Sequence, residues 1–239
     1  MKFKSIDNKY LTQRNEFSSR MKKREFWSII DHWPLYVGTS NLARFMAISD
    51  LLRSTLDVPG HVAEFGSWRG ANLLFMAKLL RIYDPHGSKQ VHCYESFEGL
   101  ETFSGQDGAA GETEQGTYRG NLEELMKMIN LGELEDDIVV HKGDISTTLP
   151  DALKDKGLSY SFAYCDTDLY EPTRIILDQL HPRLAIGGLI VFDQWNYEKW
   201  PGESVAVREF LEREDVSYEM LSVRNARQPS LALRKIGSS

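Results

Sequence analysis

The run Val62-Ala63-Glu64-Phe65-Gly66-Ser67-Trp68-Arg69-Gly70 decides the architecture. Its first half, with His61, reads as a short buried strand, and Ala71 to Ile82 beyond it has helical length and is apolar nearly all round. Gly66 lets the chain turn sharply off the strand, and Gly70 suits a helix N-terminus whose free N–H groups and positive dipole end approach a ligand. The spacing is E-x-G-x-x-x-G, whereas a dinucleotide site takes G-x-G-x-x-G because a pyrophosphate lies against the turn. Glu64 would repel a pyrophosphate but could pair with a cationic or amino group. A nicotinamide oxidoreductase is therefore a poor fit. The same glycines would serve any βα unit, so they need company before they mark a site.

Outward from this unit, helical and strand patterns alternate, as in a parallel sheet flanked by helices. Leu42 to Leu56 has helical apolar spacing and ends at the turn Asp57-Val58-Pro59-Gly60. Strands are expected at Gln90 to Tyr94, Ile138 to His141, Phe162 to Cys165 and Leu189 to Phe192. Helices are expected at Leu122 to Leu131, Thr148 to Lys156 (opened by Pro150), Thr173 to Leu180 and Val205 to Leu211. Ser217 to Leu221 and Leu231 to Leu233 read as a closing hairpin-like pair. The loop from Ser96 to about Gly116 is too long for a simple connection, and loops of that kind are usually functional. Residues 1–40 stand apart as polar, charged and amphipathic, and read as helices lying against the body. Their Lys22-Lys23-Arg24 run fits a solvated helix face better than a phosphate patch.

The chain has 239 residues, 28 Lys plus Arg against 35 Asp plus Glu, and a net charge of −7. Its composition is that of a folded globular protein. The acidic balance argues against nucleic acid and anionic membrane as partners. No apolar stretch approaches the roughly 20 residues of a membrane span, and no signal core follows Met1. Cys93 and Cys165, the two cysteines, sit in apolar runs, which suggests reduced thiols and a cytoplasmic protein.

Candidate site residues gather at the expected strand ends. Glu95 follows the second strand, where an acid can hold both hydroxyls of a ribose, with Ser96 beside it. Asp144, after the third strand, could meet an adenine amino group. Together with the glycine turn they describe an adenosine site without a phosphate cradle. The fourth strand runs into Asp166-Thr167-Asp168-Leu169-Tyr170-Glu171-Pro172-Thr173, and two-residue spacing in extended chain would put Asp166 and Asp168 on one face. Pro172 fits the first turn of the next helix. The fifth strand ends in Asp193-Gln194-Trp195. Three carboxylates and the Gln194 amide oxygen form a hard-oxygen set suited to Mg²⁺ or a similar cation. The alternative, that these acids only cap strands and helices, stays open. Trp195, Tyr197 and Trp200 are candidates for lining an acceptor.

The stretches Glu64-Phe65-Gly66-Ser67-Trp68-Arg69-Gly70, Ser96-Phe97-Glu98-Gly99-Leu100, Asp166 to Thr173, Gly187-Gly188 and Asp193 resemble the macrocin O-methyltransferase family, in the family's order. The resemblance covers roughly Leu42 to Lys235. It implies a seven-stranded, mostly parallel Rossmann-like methyltransferase sheet with helices on both faces. Residues 1–40 would be a helical lid and residues 41–239 the methyltransferase domain. It further implies S-adenosylmethionine as donor, bound around Glu64, Gly66, Gly70, Glu95, Ser96, Asp144 and Asp166. Methyl transfer to a sugar hydroxyl would be Mg²⁺-assisted, with Asp168 as general base and Asp166, Asp193 and Gln194 around the metal. The acceptor would be a sugar on a glycan, nucleotide or natural product, and a homodimer is a reasonable assembly. This chain departs from the family at Gln194-Trp195, where a second Asp followed by Tyr is usual, so one negative charge is missing. A non-sugar acceptor and a degenerate donor-binding protein are the rival readings.

Overall fold

A computed structural model describes residues 31–101, 103–108 and 114–238. The expected N-terminal lid, with Lys22-Lys23-Arg24, falls mostly outside these residues. Helix α1 spans Thr39–Arg53, and strand β1 (His61–Phe65) leads through the glycine turn into α2 (Ala71–Tyr83). Then follow β2 (Val91–Glu95), α3 (Leu122–Leu131), β3 (Ile138–Lys142) and α4 (Ile145–Ala152). The last part comprises β4 (Tyr160–Cys165), α5 (Tyr170–Leu180), β5 (Leu184–Phe192), α6 (Gly202–Leu211), β6 (Val216–Ser222) and β7 (Leu231–Ser238).

The seven strands form one sheet in the order β3-β2-β1-β4-β5-β7-β6. Strands β1 to β5 are parallel, and β7 runs antiparallel between β5 and β6. Period-two alternation divides the core between the faces. Ala63, Phe65, Ala163, Cys165, Ile190 and Phe192 pack under α4, α5 and α6 through Leu149, Ile176, Val207 and Phe210. Val62, Phe162, Tyr164, Leu189 and Val191 pack under α1, α2 and α3 through Ile48, Leu52, Leu73, Met76 and Leu125. Sequence order reverses between β1 and β4, and such a switch point opens a crevice beyond the carboxyl ends of the strands.

Several element limits differ from the sequence reading. Helix α4 begins at Ile145 rather than Thr148, because the Asp144 carboxylate accepts the Ser146 N–H at 2.7 Å and caps it, leaving Pro150 inside the helix. Helix α5 begins at Tyr170, so Pro172 lies within its first turn. Strand β5 starts earlier, at Leu184, and takes in Gly187-Gly188 through a shift of register against β4. No helix among the described residues is long and apolar enough to cross a membrane. Cys93 and Cys165 are free thiols, both buried.

Candidate active site

Hydrogen bonding continues one residue past the strands and aligns the site. Asp166 N donates to Phe65 O at 2.9 Å, Asp193 N to Cys165 O at 3.1 Å, and Gly66 N to Tyr94 O at 3.0 Å. The ends of β2, β1, β4 and β5 are thereby held level. Gly66 has φ +81°, and a Cβ there would collide with the Asp166 carbonyl, so the close approach of β1 and β4 demands glycine. Gly70, at φ +79°, is crowded instead by the Leu125 side chain of α3. Its conformation serves helix packing, and it does not line the cavity.

A cavity of about 780 Å³ lies over these ends, lined by Gly66, Glu95, Ser96 and Asp144 on one side and by Asp166, Asp168, Asp193 and Gln194 on the other. The Glu95 carboxylate is fixed by two backbone donors, Trp68 N to Oε2 and Phe97 N to Oε1, each at 2.8 Å. Each oxygen keeps a lone pair for a further donor. Glu64 is buried beneath the glycine turn and does not line the cavity. Burial pushes its carboxyl up to about 7, against hydrogen bonds from Ser67 and Asn72 and the charge of Arg44.

Asp166 and Asp168 do converge, but through a turn. Asp168 has φ +60°, in the left-handed region, so the extended geometry assumed from the sequence ends after β4. Its side chain is buried, and Oδ1 has no hydrogen-bond partner. Burial, then the charge of Asp193, raise its carboxyl to about 6, while a hydrogen bond from Gln194 and the charge of Arg44 pull the other way. A buried carboxylate with a free oxygen and that affinity can take a proton near neutral pH.

Arg44, on α1, is the residue that sequence reasoning missed. It sits four positions before the fully buried Ile48, so a cation on a core-facing stripe was the available signal. Its NH2 group lies 2.9 Å from Asp166 Oδ2 and 3.1 Å from Asp193 Oδ1, and NH1 donates to Asp193 Oδ2 at 3.5 Å. Burial opposes the guanidinium charge, but the Asp193 and Asp166 carboxylates outweigh it and hold the group above the ordinary arginine value. The Tyr164 hydroxyl donates to Asp193 Oδ1 as well. Asp166 is pushed well up by burial and by Asp193, with Arg44 acting against them. Among the described residues, no cluster of three or more His, Cys, Asp or Glu is arranged to hold a metal ion.

The donor set expected for Mg²⁺ therefore does not fit a divalent cation as it stands. The Asp166 and Asp193 oxygens that would meet the ion are engaged by a fixed positive charge, and Gln194, whose Oε1 is buried and unpartnered, adds none of the negative charge that a dication needs. Glu203, also unforeseen, is fully buried in the first turn of α6, where its Oε1 accepts the Gln194 N–H at 2.8 Å. The aromatic expectation needs correcting. Trp195, Tyr197 and Trp200 do not line the cavity, and Trp200 is buried facing Phe103. Trp68 and Tyr118 line it instead, edge to face at 5.7 Å.

Against known proteins, the model of the macrocin O-methyltransferase family (TylF) matches residues 3–227. The chain belongs to this family. Members similar to it include demethyldecarbamoylnovobiocin O-methyltransferase of Streptomyces niveus, 30% identical over 70% of this chain and 64% of that one. A tetracenomycin-C rhamnosyl 4'-O-methyltransferase of Streptomyces olivaceus is 33% identical over 58% of this chain and 54% of its own length. The chain thus spans less than two thirds of either relative. Among solved structures, the calicheamicin methyltransferase CalS11 superposes with a TM-score of 0.81 at 25% identity, covering 95% of this chain and 93% of that one. The family's seven-stranded, mostly parallel sheet is the one described above.

Proposed function

We propose that this family member is an S-adenosylmethionine-dependent O-methyltransferase acting on a sugar hydroxyl of a glycosylated small molecule or nucleotide sugar. The observation that carries the reading is one cavity holding both halves of such a site: Glu95 and Asp144 for the donor's adenosine, Asp168 for the acceptor. The relatives' names bear on the acceptor class, since one is named for demethyldecarbamoylnovobiocin and the other for a rhamnosyl-bearing tetracenomycin C. A cytoplasmic location, which rests on the two cysteines in apolar runs, and a homodimer, which rests on the resemblance, belong to the same proposal.

The chemistry follows from the residues. Glu95, held by two N–H donors, accepts from the ribose hydroxyls, and Gly66 and Ser67 let the chain pass close to the donor. A sugar hydroxyl is a poor nucleophile at pH 7, so its proton must leave as the new bond forms. Asp168 Oδ1, buried and unpartnered, takes that proton. The oxygen–carbon bond forms as the carbon–sulfur bond breaks, the sulfonium becomes a neutral thioether, and the proton later passes to water. No leaving anion needs a cradle, and the protein's main work is to align two substrates and exclude water. Trp68 and Tyr118 offer ring surface to the acceptor. Mg²⁺, implied by the resemblance, enters no step, because Arg44 engages Asp166 and Asp193, two of its three expected ligands.

Calorimetry with S-adenosylhomocysteine, followed by a panel of glycosylated acceptors, nucleotide sugars and catechols, tests the proposal. Donor-product binding with turnover on sugars alone supports it. Binding with turnover only on catechols moves the acceptor class, and no binding refutes the reading.

A further inference from the structure

The family resemblance places three carboxylates and a divalent cation where this chain has two carboxylates, an amide and a guanidinium. The formal charge is the same in both sets. Three carboxylates with a dication sum to −1, and Asp166, Asp193, neutral Gln194 and Arg44 also sum to −1. One guanidinium nitrogen bridges both carboxylates, at 2.9 and 3.1 Å. Mg²⁺ binds oxygen at about 2.0–2.1 Å. An ion on these same oxygens would meet the guanidinium at close range and be repelled by it. Arg44 and Asp166 keep 22% and 23% of their side chains exposed toward the cavity, but the Asp193 side chain is 1% exposed, so water screens the Arg44–Asp193 contact less than a surface pair.

We propose that Arg44 is the resident cation of this active site and that its methyl transfer needs no divalent metal. The inference rests on the methyltransferase reading above, since it concerns the same cavity. Arg44 is a positioning residue. It occupies Asp166 and Asp193, which leaves Asp168, with its unpartnered Oδ1, to receive the acceptor's proton. Gln194 completes the exchange, because a third carboxylate beside a monovalent cation would leave the cluster with excess negative charge. A guanidinium carries its charge at any working pH and cannot be chelated.

The experiment is uptake of Mn²⁺ by metal-stripped protein, followed by the electron paramagnetic resonance of free Mn²⁺, with S-adenosylhomocysteine affinity measured in parallel with and without EDTA. This readout needs neither acceptor nor turnover. Wild type and Arg44→Lys should show no stoichiometric uptake, and turnover should be the same in excess EDTA. Arg44→Gln should lose about 10²-fold in kcat, as for removal of one preorganised electrostatic partner, with little change in donor affinity. The double variant Arg44→Gln/Gln194→Asp rebuilds the three-carboxylate set. It should bind one Mn²⁺ per chain and become chelator-sensitive, with its fold checked by circular dichroism. One Mn²⁺ per wild-type chain, abolished by Asp193→Asn, would overturn the proposal. So would a folded double variant that takes up none. Failure of wild type to bind S-adenosylhomocysteine, with the Mn²⁺ results as expected, would instead count against the methyltransferase reading.

Discussion

Asp107 accepts the backbone N–H of Tyr170 on Oδ1 at 2.7 Å, joining the segment after β2 to the first turn of α5, 63 residues away in sequence. Its Oδ2 accepts from both N and Oγ of Ser104. The carboxylate is 1% exposed, so one buried acid serves as a helix cap and a loop clamp. Asp107→Ala should destabilise the protein by about 1–3 kcal/mol, the cost of leaving a buried donor unpaired. A thermal melt would read this as several degrees, at roughly 2–4 °C per kcal/mol. Calorimetry should show nearly unchanged S-adenosylhomocysteine affinity, because Asp107 does not line the cavity.

Asp168→Asn removes the proton acceptor while keeping its shape. A loss of about 10²–10⁴-fold in kcat is expected, the usual worth of a positioned general base. Donor binding should hold within a few-fold, since Glu95 and the glycine turn are untouched. Turnover comparable to wild type would show that another group takes the proton.

The pH dependence follows from the same carboxyl. Burial and Asp193 raise Asp168 to about 6, so the proton-accepting form fills as pH rises through that value. kcat/KM should climb from acid toward neutral pH and level off above about 7, where the carboxylate is fully ionised. Stability runs the opposite way. The folded state holds this proton more tightly than the unfolded chain, whose carboxyl has an ordinary value near 3.8. The contribution to stability is complete below that value and is lost as pH rises through about 6. Asp168→Asn, which carries no charge to bury, should melt no lower than wild type at neutral pH. An activity profile flat across this window would remove Asp168 from the step.

The sheet was legible because strand ends announce themselves locally. Phe65-Gly66, Cys165-Asp166 and Phe192-Asp193 each mark a switch from buried strand to polar turn, and the parallel ladder sets them side by side. Glu95, Asp144, Asp166, Asp168, Asp193 and Gln194 line one cavity for that reason. Arg44 was hidden because its partners lie 122 and 149 residues away, and only the packing of α1 on the sheet brings them together. The acids Asp107 and Glu203 were missed for the same reason, since a buried carboxylate looks like a surface one until its neighbours are known. Gly70 misled in the other direction. It was expected to let the helix N-terminus approach a ligand, whereas it is crowded by Leu125 of α3 and does not line the cavity.

Glu203 separates charge from hydrogen bonding in this site. Its Oε1 accepts the Gln194 N–H, Oε2 has no partner, and the side chain is fully buried beside Asp193 and Asp168. Burial first, then those neighbouring charges, push its carboxyl well above the usual range, so the neutral acid is the form that the fold prefers. Glu203→Gln keeps an acceptor for Gln194 N and carries no proton to lose. It should therefore fold and turn over close to wild type. Glu203→Ala leaves the Gln194 N–H unpaired and opens space beneath the Asp193-Gln194 turn, and a loss of about 1–3 kcal/mol is expected. Because the folded-state affinity for the proton is raised, Glu203 favours folding most at acid pH and loses that contribution as pH rises. Melting temperatures measured from acid to alkaline pH should consequently fall less for Glu203→Gln than for wild type. Equal slopes for the two proteins would show that folding does not raise the proton affinity of Glu203.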